Sequence, residues 1–285
     1  MSLGYQPQIL SSATLVSPAF DRTVFAGVPD IRLRTPGKSM ADKDRQITDD
    51  WLAFTAARDD AAGPFFGFIF YSAVHAYGPP DDYPRFEPYW EKINHLELSE
   101  SFDPEPYRNV YRTAAHYVDS QIGRVLEDLQ QRGLLDSTVV MISSDHGEEF
   151  NDNGMGFWGH GSNFSDVQLH VPMIVHWPQR ERQNIRYRTT HNDVPVTFMQ
   201  EALGCAETPA EHYAVGQSMF DPAPRDLLIA GSYANYAAVL EEHIVVSYPG
   251  GSHDVLDKKL RKASEAVLQP EISRRILTQL SRFYR

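Results

Sequence analysis

The chain has a single cysteine, Cys205, so it cannot form a disulfide within itself. Its apolar stretches fall short of the roughly 18 residues that a membrane-spanning helix needs. Positive charge is scarce as well, because there are 26 lysines and arginines but 38 aspartates and glutamates. The formal net charge of −12 opposes binding to nucleic acid, and it opposes binding to anionic lipid unless the basic residues are segregated. We therefore expect a globular domain without a nucleic-acid partner.

Strands and helices alternate along most of the chain, which predicts a mostly parallel central sheet flanked by helices. Closely spaced short strands near the C-terminus predict a small antiparallel sheet instead. We therefore expect an α/β fold, with an α/β domain over 1–205 and, packed on it, antiparallel strands and a closing helix over 206–285. The predicted strands cover 8–12, 64–74, 137–144, 171–176, 227–231, 236–240 and 243–248, and the predicted helices cover 47–58, 106–135, 193–203 and 269–284.

The most informative segment is an apolar run that ends in Asp145 and His146 and is followed by Gly147. At the end of a buried parallel strand, these side chains would lie at the rim of the sheet, where open α/β folds bind ligands. A carboxylate and an imidazole are suitable ligands for Mn²⁺ or Zn²⁺ and, with less preference for nitrogen, Mg²⁺. The alternative is an ordinary turn shaped by the aspartate and the glycine, with an incidental histidine.

Two more histidines follow predicted strands or glycine-rich turns. His160 lies in Trp-Gly-His-Gly-Ser, between two predicted strands, and His75 directly follows the apolar run 64–74. Both are candidate catalytic residues. The alternatives are a loop histidine hydrogen-bonded to nearby backbone at His75 and a structural loop histidine at His160.

Other polar residues near this segment are weaker candidates. Glu148 and Glu149 either orient His146 or are solvated. His170 and His176 flank a strand and are interpreted as core or edge residues, and the local sequence at His191 is explained by the helix cap that follows it.

The segment SSDHGEEFNDNGMGFWGHGSN, followed by QLHVPMIVHWP, resembles the second half of the sulfatase branch of the alkaline phosphatase superfamily. Within that branch it is most similar to the lipoteichoic-acid synthase and phosphoethanolamine transferase group. GYQPQILSSA and TTHNDVPVTFMQEALG extend the resemblance to the C-terminal periplasmic domain of YejM-like inner-membrane proteins. The resemblance implies an alkaline-phosphatase-like sulfatase fold whose first strand and nucleophile helix are missing from this chain.

This resemblance assigns roles to the candidate residues. Asp145 and His146 correspond to metal ligands. The implied cofactor is a divalent cation, and Mn²⁺, Zn²⁺, Mg²⁺ and Ca²⁺ are the candidates. His75 and His160 correspond to histidines that hold the oxygens of the transferred group or protonate the leaving group. The family's nucleophile is a threonine, serine or modified cysteine upstream, and Cys205 lacks the Cys-x-Pro/Ala-x-Arg context of a formylglycine precursor. We therefore expect the chain to be catalytically incomplete by itself.

Two functions remain open at this stage. The parent protein is either a metal-dependent hydrolase or transferase of phosphate or sulfate esters, or a non-catalytic regulator that binds lipid or a membrane-protein partner. The implied substrates include anionic phospholipid and lipopolysaccharide. The implied location is the periplasmic face of a Gram-negative inner membrane, with the parent anchored by segments outside this chain.

Overall fold

The computed structural model describes residues 4–59, 63–264 and 268–282. These residues form two compact units. The first contains the described residues up to Met141 together with Val175–Arg180, and the second contains Ile142–Ile174 and the described residues from Glu181 onward. None of the helices within these ranges combines the length and the apolar composition needed to cross a bilayer. The division of the chain after residue 205 stays a prediction.

The first unit is built on a parallel strand pair and two helices. Strand β1 (Gln6–Ser11) pairs in parallel with β2 (Phe65–Phe70). Helix α1 (Met40–Ala56) begins with a capping box between Ser39 and Asp42, and helix α2 (Glu105–Gln131) is the longest element. The apolar faces of both helices pack against β1, and the core between them consists of Leu10, Ile47, Trp51, Val125 and Leu129.

The segment with the Asp-His-Gly sequence lies between short strands. Strand β3 (Val140–Ser143) pairs with β6 (Met173–His176), and β4 (Glu149–Phe150) pairs antiparallel with β5 (Trp158–Gly159). The short helix α3 (Asp166–Leu169) precedes β6. The segment between β4 and α3 contains β5, and His160 directly follows β5 in this segment.

The C-terminal part of the second unit is an antiparallel sheet covered by a helix. After α4 (Asp193–Glu201), the sheet contains β7 (Leu228–Gly231), β8 (Tyr236–Val239), β9 (His243–Ser247) and β10 (His253–Asp257) in the order β10-β9-β8-β7. Helix α5 (Pro270–Ser281) packs its apolar face on this sheet through Ile276. The end of the predicted closing helix, at 283–284, lies outside the described residues.

The α/β class and the small antiparallel sheet are confirmed, but a continuous parallel sheet is not seen in the described ranges. The strands β1 and β2 form one pair, and β3 and β6 form another. The apolar run 64–74 is typical of a central strand, yet in β2, which it forms, Phe66 is 52% exposed. A continuous apolar run indicates a strand, but it does not say how many neighbours that strand acquires. Short 3-10 turns lie at Phe20–Arg22, His95–Glu97, Leu135–Ser137 and Ala210–His212.

Candidate functional site

The turn after β3 is fixed by local hydrogen bonds and by a close backbone approach. The Ser144 hydroxyl donates to the carbonyl of His146 at 2.8 Å, and the His146 amide donates to Asp145 Oδ1 at 3.1 Å. The Gly147 amide donates to the carbonyl of Gln168 at 2.9 Å. A Cβ atom on Gly147 would lie 2.1 Å from the carbonyl oxygen of Val167, so only glycine fits here. The turn therefore packs directly on the backbone of α3.

His160 is brought against His146 by the loop that follows β5. The two imidazole rings are stacked, with their centroids 4.0 Å apart and their planes inclined by 28°. Gly159 and Gly161, on either side of His160, have φ angles of 86° and 73°, in the left-handed region that glycine adopts without strain. The Gly-His-Gly sequence thus provides the backbone conformation that places the second imidazole.

Glu148 completes a group of three potential ligands. Its Oε2 atom lies 2.8 Å from Nδ1 of His160, and its side chain is only 8% exposed. The potential ligand atoms of His146, Glu148 and His160 lie within 4.8 Å of one another. Two imidazoles and one carboxylate fit Zn²⁺ or Mn²⁺, whereas Mg²⁺ and Ca²⁺ prefer oxygen ligands. The donor set thus fits the expected class of cation, although one ligand differs from the predicted pair.

Asp145 lies at the edge of this group. Its side chain is 63% exposed, and its Oδ1 atom is 3.8 Å from Nε2 of His146. It does not belong to the three residues whose ligand atoms converge. The role of Asp145 as a metal ligand therefore stays a prediction.

Sequence reasoning underestimated both glutamates after Gly147. Glu149 is fully buried, at 0% exposure, and the side chain of Glu148 is nearly so. The alternative that these residues are solvated is therefore wrong. For Glu148 a sequence signal was present, since it is only two residues from His146. The pairing of Glu149 with Gly159 is visible only in the folded chain.

His75 belongs to the first unit, in a turn after β2, and its side chain is exposed. The turn is held by Asp44 of α1, which is fully buried and accepts hydrogen bonds from the amides of Ser72 at 3.0 Å and Ala73 at 2.8 Å. Burial raises the pKa of the Asp44 carboxyl above its ordinary value, against the opposing effect of hydrogen bonding with the Ser12 side chain and with the amides of Ser72 and Ala73. The catalytic role of His75 stays a prediction, and Asp44 was missed because its partners are backbone groups.

The remaining histidines have structural contacts. Nε2 of His176 is 3.1 Å from the carbonyl oxygen of Leu135, and Nε2 of His191 is 2.8 Å from that of Ser144. His170 and His176 are exposed, so they are not core residues. At the start of α4, Asn192 makes no side-chain capping hydrogen bond, and Asp193 accepts from the amide of Thr190, which lies before the helix. The predicted cap, which was to explain the sequence at His191, is therefore not seen.

The chain resembles known proteins in sequence and in structure. A family model described as Sulfatase matches residues 11–205. Inner membrane protein YejM of Salmonella typhimurium is 30% identical over 195 residues, which cover 68% of this chain and 32% of YejM. Iduronate 2-sulfatase of Homo sapiens is 35% identical over 96 residues, which cover 32% of this chain and 17% of the enzyme. This chain therefore spans about a third or less of these relatives.

A solved structure shares the fold. The crystal structure of a protein in the alkaline phosphatase superfamily from Vibrio parahaemolyticus superposes with a TM-score of 0.59 at 17% sequence identity. The superposition covers 98% of this chain and 65% of the other. At this level of identity the likeness establishes the fold alone, and it confirms the alkaline-phosphatase-like architecture predicted from the sequence.

Proposed function

Because the chain belongs to the sulfatase family, we propose that it carries part of the active site of a metal-dependent enzyme that cleaves or transfers phosphate or sulfate esters. The supporting observation is the convergence of His146, Glu148 and His160 at the turn after β3. In the alternative of an incidental turn histidine, nothing would require a second imidazole and a buried carboxylate within the same few ångströms.

Each residue of the group has a proposed task. His146 and Glu148 would hold a Zn²⁺ or Mn²⁺ ion, and such an ion, when bound, polarises an ester oxygen. Because a carboxylate only accepts hydrogen bonds, Nδ1 of His160 donates to Glu148. Nε2 of the same ring then carries a lone pair, which can bind a cation, accept a hydrogen bond from a substrate hydroxyl or accept a proton. His160 would therefore bind the cation through Nε2 or, once Nε2 carries a proton, donate that proton to the leaving group, and Asp145 would approach as a further ligand. We assign His75 the same class of role as a prediction.

The nucleophile and the remaining ligands are proposed to lie elsewhere in a longer protein. The YejM protein of Salmonella typhimurium is about three times as long as the matched region, which covers 32% of it. We propose that the parent is a protein of the Gram-negative inner membrane and that this chain faces the periplasm. Its substrates would be phosphate or sulfate esters, with anionic phospholipid and lipopolysaccharide as candidates.

A second function is favoured by the Salmonella typhimurium relative. That relative is described only as an inner membrane protein, and it matches 68% of this chain. The second candidate is therefore a non-catalytic regulator that uses the sulfatase fold to bind lipid or a membrane-protein partner. In that case the histidine pair would be retained without turnover.

The test uses the chain for metal binding and a longer parent protein for turnover. Zn²⁺ and Mn²⁺ binding is measured by calorimetry for the wild type, for His146→Ala and for His176→Ala, an exposed histidine of the first unit that serves as the matched control. Aryl phosphate, phosphodiester and sulfate esters are then offered to the parent with and without metal. Metal-dependent turnover that His146→Ala abolishes and His176→Ala retains supports the enzyme. Metal binding without turnover of any ester supports the regulator, and absence of binding contradicts the metal site.

A further inference from the structure

Glu149 is completely buried, and its hydrogen-bond partners are neutral side chains. It is 0% exposed, and the four side chains within the described ranges that donate to it are Asn153, Asn163, Ser165 and Gln168. Removing a carboxylate from water is costly unless its oxygens receive several hydrogen bonds. Here the four donors provide that compensation, so the network and the carboxylate depend on each other.

The donors come from both sides of His160 along the chain. Asn153 precedes His160 and donates to Oε1 at 2.9 Å, whereas Asn163 and Gln168 follow His160 and each donate to Oε2 at 2.7 Å. The Gln168 amide also donates to the hydroxyl of Ser162 at 3.0 Å, two residues after His160. One carboxylate therefore ties together both arms of the loop that carries His160.

The backbone of Glu149 adds a third connection. Glu149 is paired with Gly159, the residue before His160, in the β4–β5 hairpin. Its neighbour Glu148 is the residue that contacts Nδ1 of His160. Because Glu148 directly precedes Glu149 in the chain, holding Glu149 in the hairpin limits where the Glu148 side chain can lie and keeps it within reach of His160.

We propose that Glu149 is a positioning residue for the metal centre. Its buried carboxylate binds side chains that precede and follow His160 in the chain, and so holds Glu148 and His160 against His146. This inference rests on the proposed function, because it concerns the same three residues. A carboxylate suits the task because it only accepts hydrogen bonds, so both oxygens can face amide donors. Glutamine at the same position would present an amino group to at least one of these donors.

The test compares Glu149→Gln and Asn163→Ala with Asp193→Asn. Asp193 is the matched control, since it is a second buried carboxylate of the same unit, 1% exposed, and its Oδ2 atom lies 2.8 Å from Nε of the buried Arg225. Two quantities are measured, namely the affinity for Zn²⁺ and the imidazole NMR resonances of His146 and His160 in metal-free protein. Ring stacking at 4.0 Å shifts these resonances, so they report the geometry without any metal or turnover.

We expect Glu149→Gln and Asn163→Ala to weaken Zn²⁺ binding by roughly 10- to 100-fold and to shift the His146 and His160 resonances towards those of unstacked rings. Asp193→Asn should leave both quantities as in the wild type. Wild-type affinity and resonances in folded Glu149→Gln would overturn the inference, and so would equal effects of Asp193→Asn, which would reveal general destabilisation. If Glu149→Gln does not fold, Asn163→Ala decides, because it removes one donor and leaves the carboxylate in place.

The two proposals fail in different ways. A wild-type chain that binds no Zn²⁺ contradicts the proposed metal centre, while the metal-free resonances still decide whether Glu149 positions the two imidazoles. Wild-type Zn²⁺ binding that is insensitive to Glu149→Gln and Asn163→Ala contradicts the positioning role alone.

Discussion

The turns that carry His75 and His160 are each secured by one fully buried carboxylate, but by opposite means. Asp44 in the first unit accepts from two backbone amides, those of Ser72 and Ala73. Glu149 in the second unit accepts from four side chains spread over the loop around His160. The contact with the turn that carries His75 requires the side chain of Asp44, whereas the contacts within the loop that carries His160 require five side chains, that of Glu149 and those of its four donors.

This difference has consequences for where substitutions are tolerated. Any residue type supplies the backbone amides at 72 and 73 except proline, so sequence can vary there without loss of the contact. At 153, 163, 165 and 168, a change of residue removes a donor directly. The network around His160 is therefore more sensitive to single substitutions than the turn around His75.

The largest expected effect comes from Glu149→Ala. Four donors would lose their acceptor, of which Ser165 and Gln168 are buried and Asn153 and Asn163 half-buried. At about 1 kcal/mol each, the lower end of the usual range, we expect the second unit to lose about 4 kcal/mol of unfolding free energy. Hydrogen exchange should rise at the amides of the β4–β5 hairpin and remain unchanged around Ser72. A loss below about 1 kcal/mol would show that water replaces the carboxylate and that the network is not structural.

Asp44→Ala should have about half that effect. Two backbone amides would lose their acceptor, so we expect a loss of about 2 kcal/mol, with faster hydrogen exchange confined to the turn that carries His75. The matched variant is Asp49→Ala, which removes an exposed carboxylate of the same helix that pairs with Arg124. Equal losses from the two variants would contradict the assignment of a structural role to Asp44.

The pH dependence of stability distinguishes Asp44 from an ordinary ion-paired carboxylate. Burial raises the pKa of Asp44, so the folded state binds its proton more tightly, and the Asp44 contribution falls as pH rises from the ordinary value of 3.8 through the raised value. The pKa of Asp226 is lowered by the hydrogen bond from Arg275, so its contribution is lost instead as pH falls below 3.8 through the lowered value. The free energy of unfolding is measured in urea at several pH values, above 3.8 for Asp44→Asn and below 3.8 for Asp226→Asn. The slope of this free energy against pH should differ from the wild-type slope in opposite directions for the two variants. Differences of the same sign would contradict the raised pKa of Asp44.

The smallest effect is expected from His75→Ala. The side chain is exposed, so stability should change by no more than about 0.5 kcal/mol. If His75 takes part in ester cleavage, turnover by the longer parent protein should nevertheless fall, and the Zn²⁺ affinity of the chain should stay the same. A large loss of stability would instead identify a structural role that its exposure does not suggest.

The sequence supports the site better than it supports the sheet. His146 and His160 were predicted from a strand end and a glycine-flanked histidine, and the structure brings these two rings together. Strand β10 was missed because polar residues occupy three of its five positions, namely His253, Asp254 and Asp257, and obscure the alternation of polar and apolar residues. The extent of the central sheet could not be predicted, because strand pairing between distant segments leaves no local pattern.

Asp44 and Glu149 illustrate what sequence patterns cannot supply. An aspartate among the polar residues at the start of a helix is typically solvated, and two adjacent glutamates after a turn are typical of a surface. Both residues are buried because of partners that become neighbours only in the folded chain, 28 and 29 residues away for Asp44. Glu148 could have been found by its proximity to His146, but its contact with His160 depends on the loop.

Gly147 bears on how this motif is used to recognise enzymes. The glycine is required by the carbonyl of Val167, which leaves no space for a side chain, and this requirement is independent of any metal or ester. A relative that has lost its catalytic power should therefore keep this glycine for as long as it keeps the fold. If the Asp-His-Gly triplet is used as a signature of turnover, its glycine therefore reports packing, and within the triplet only Asp145 and His146 bear on catalysis.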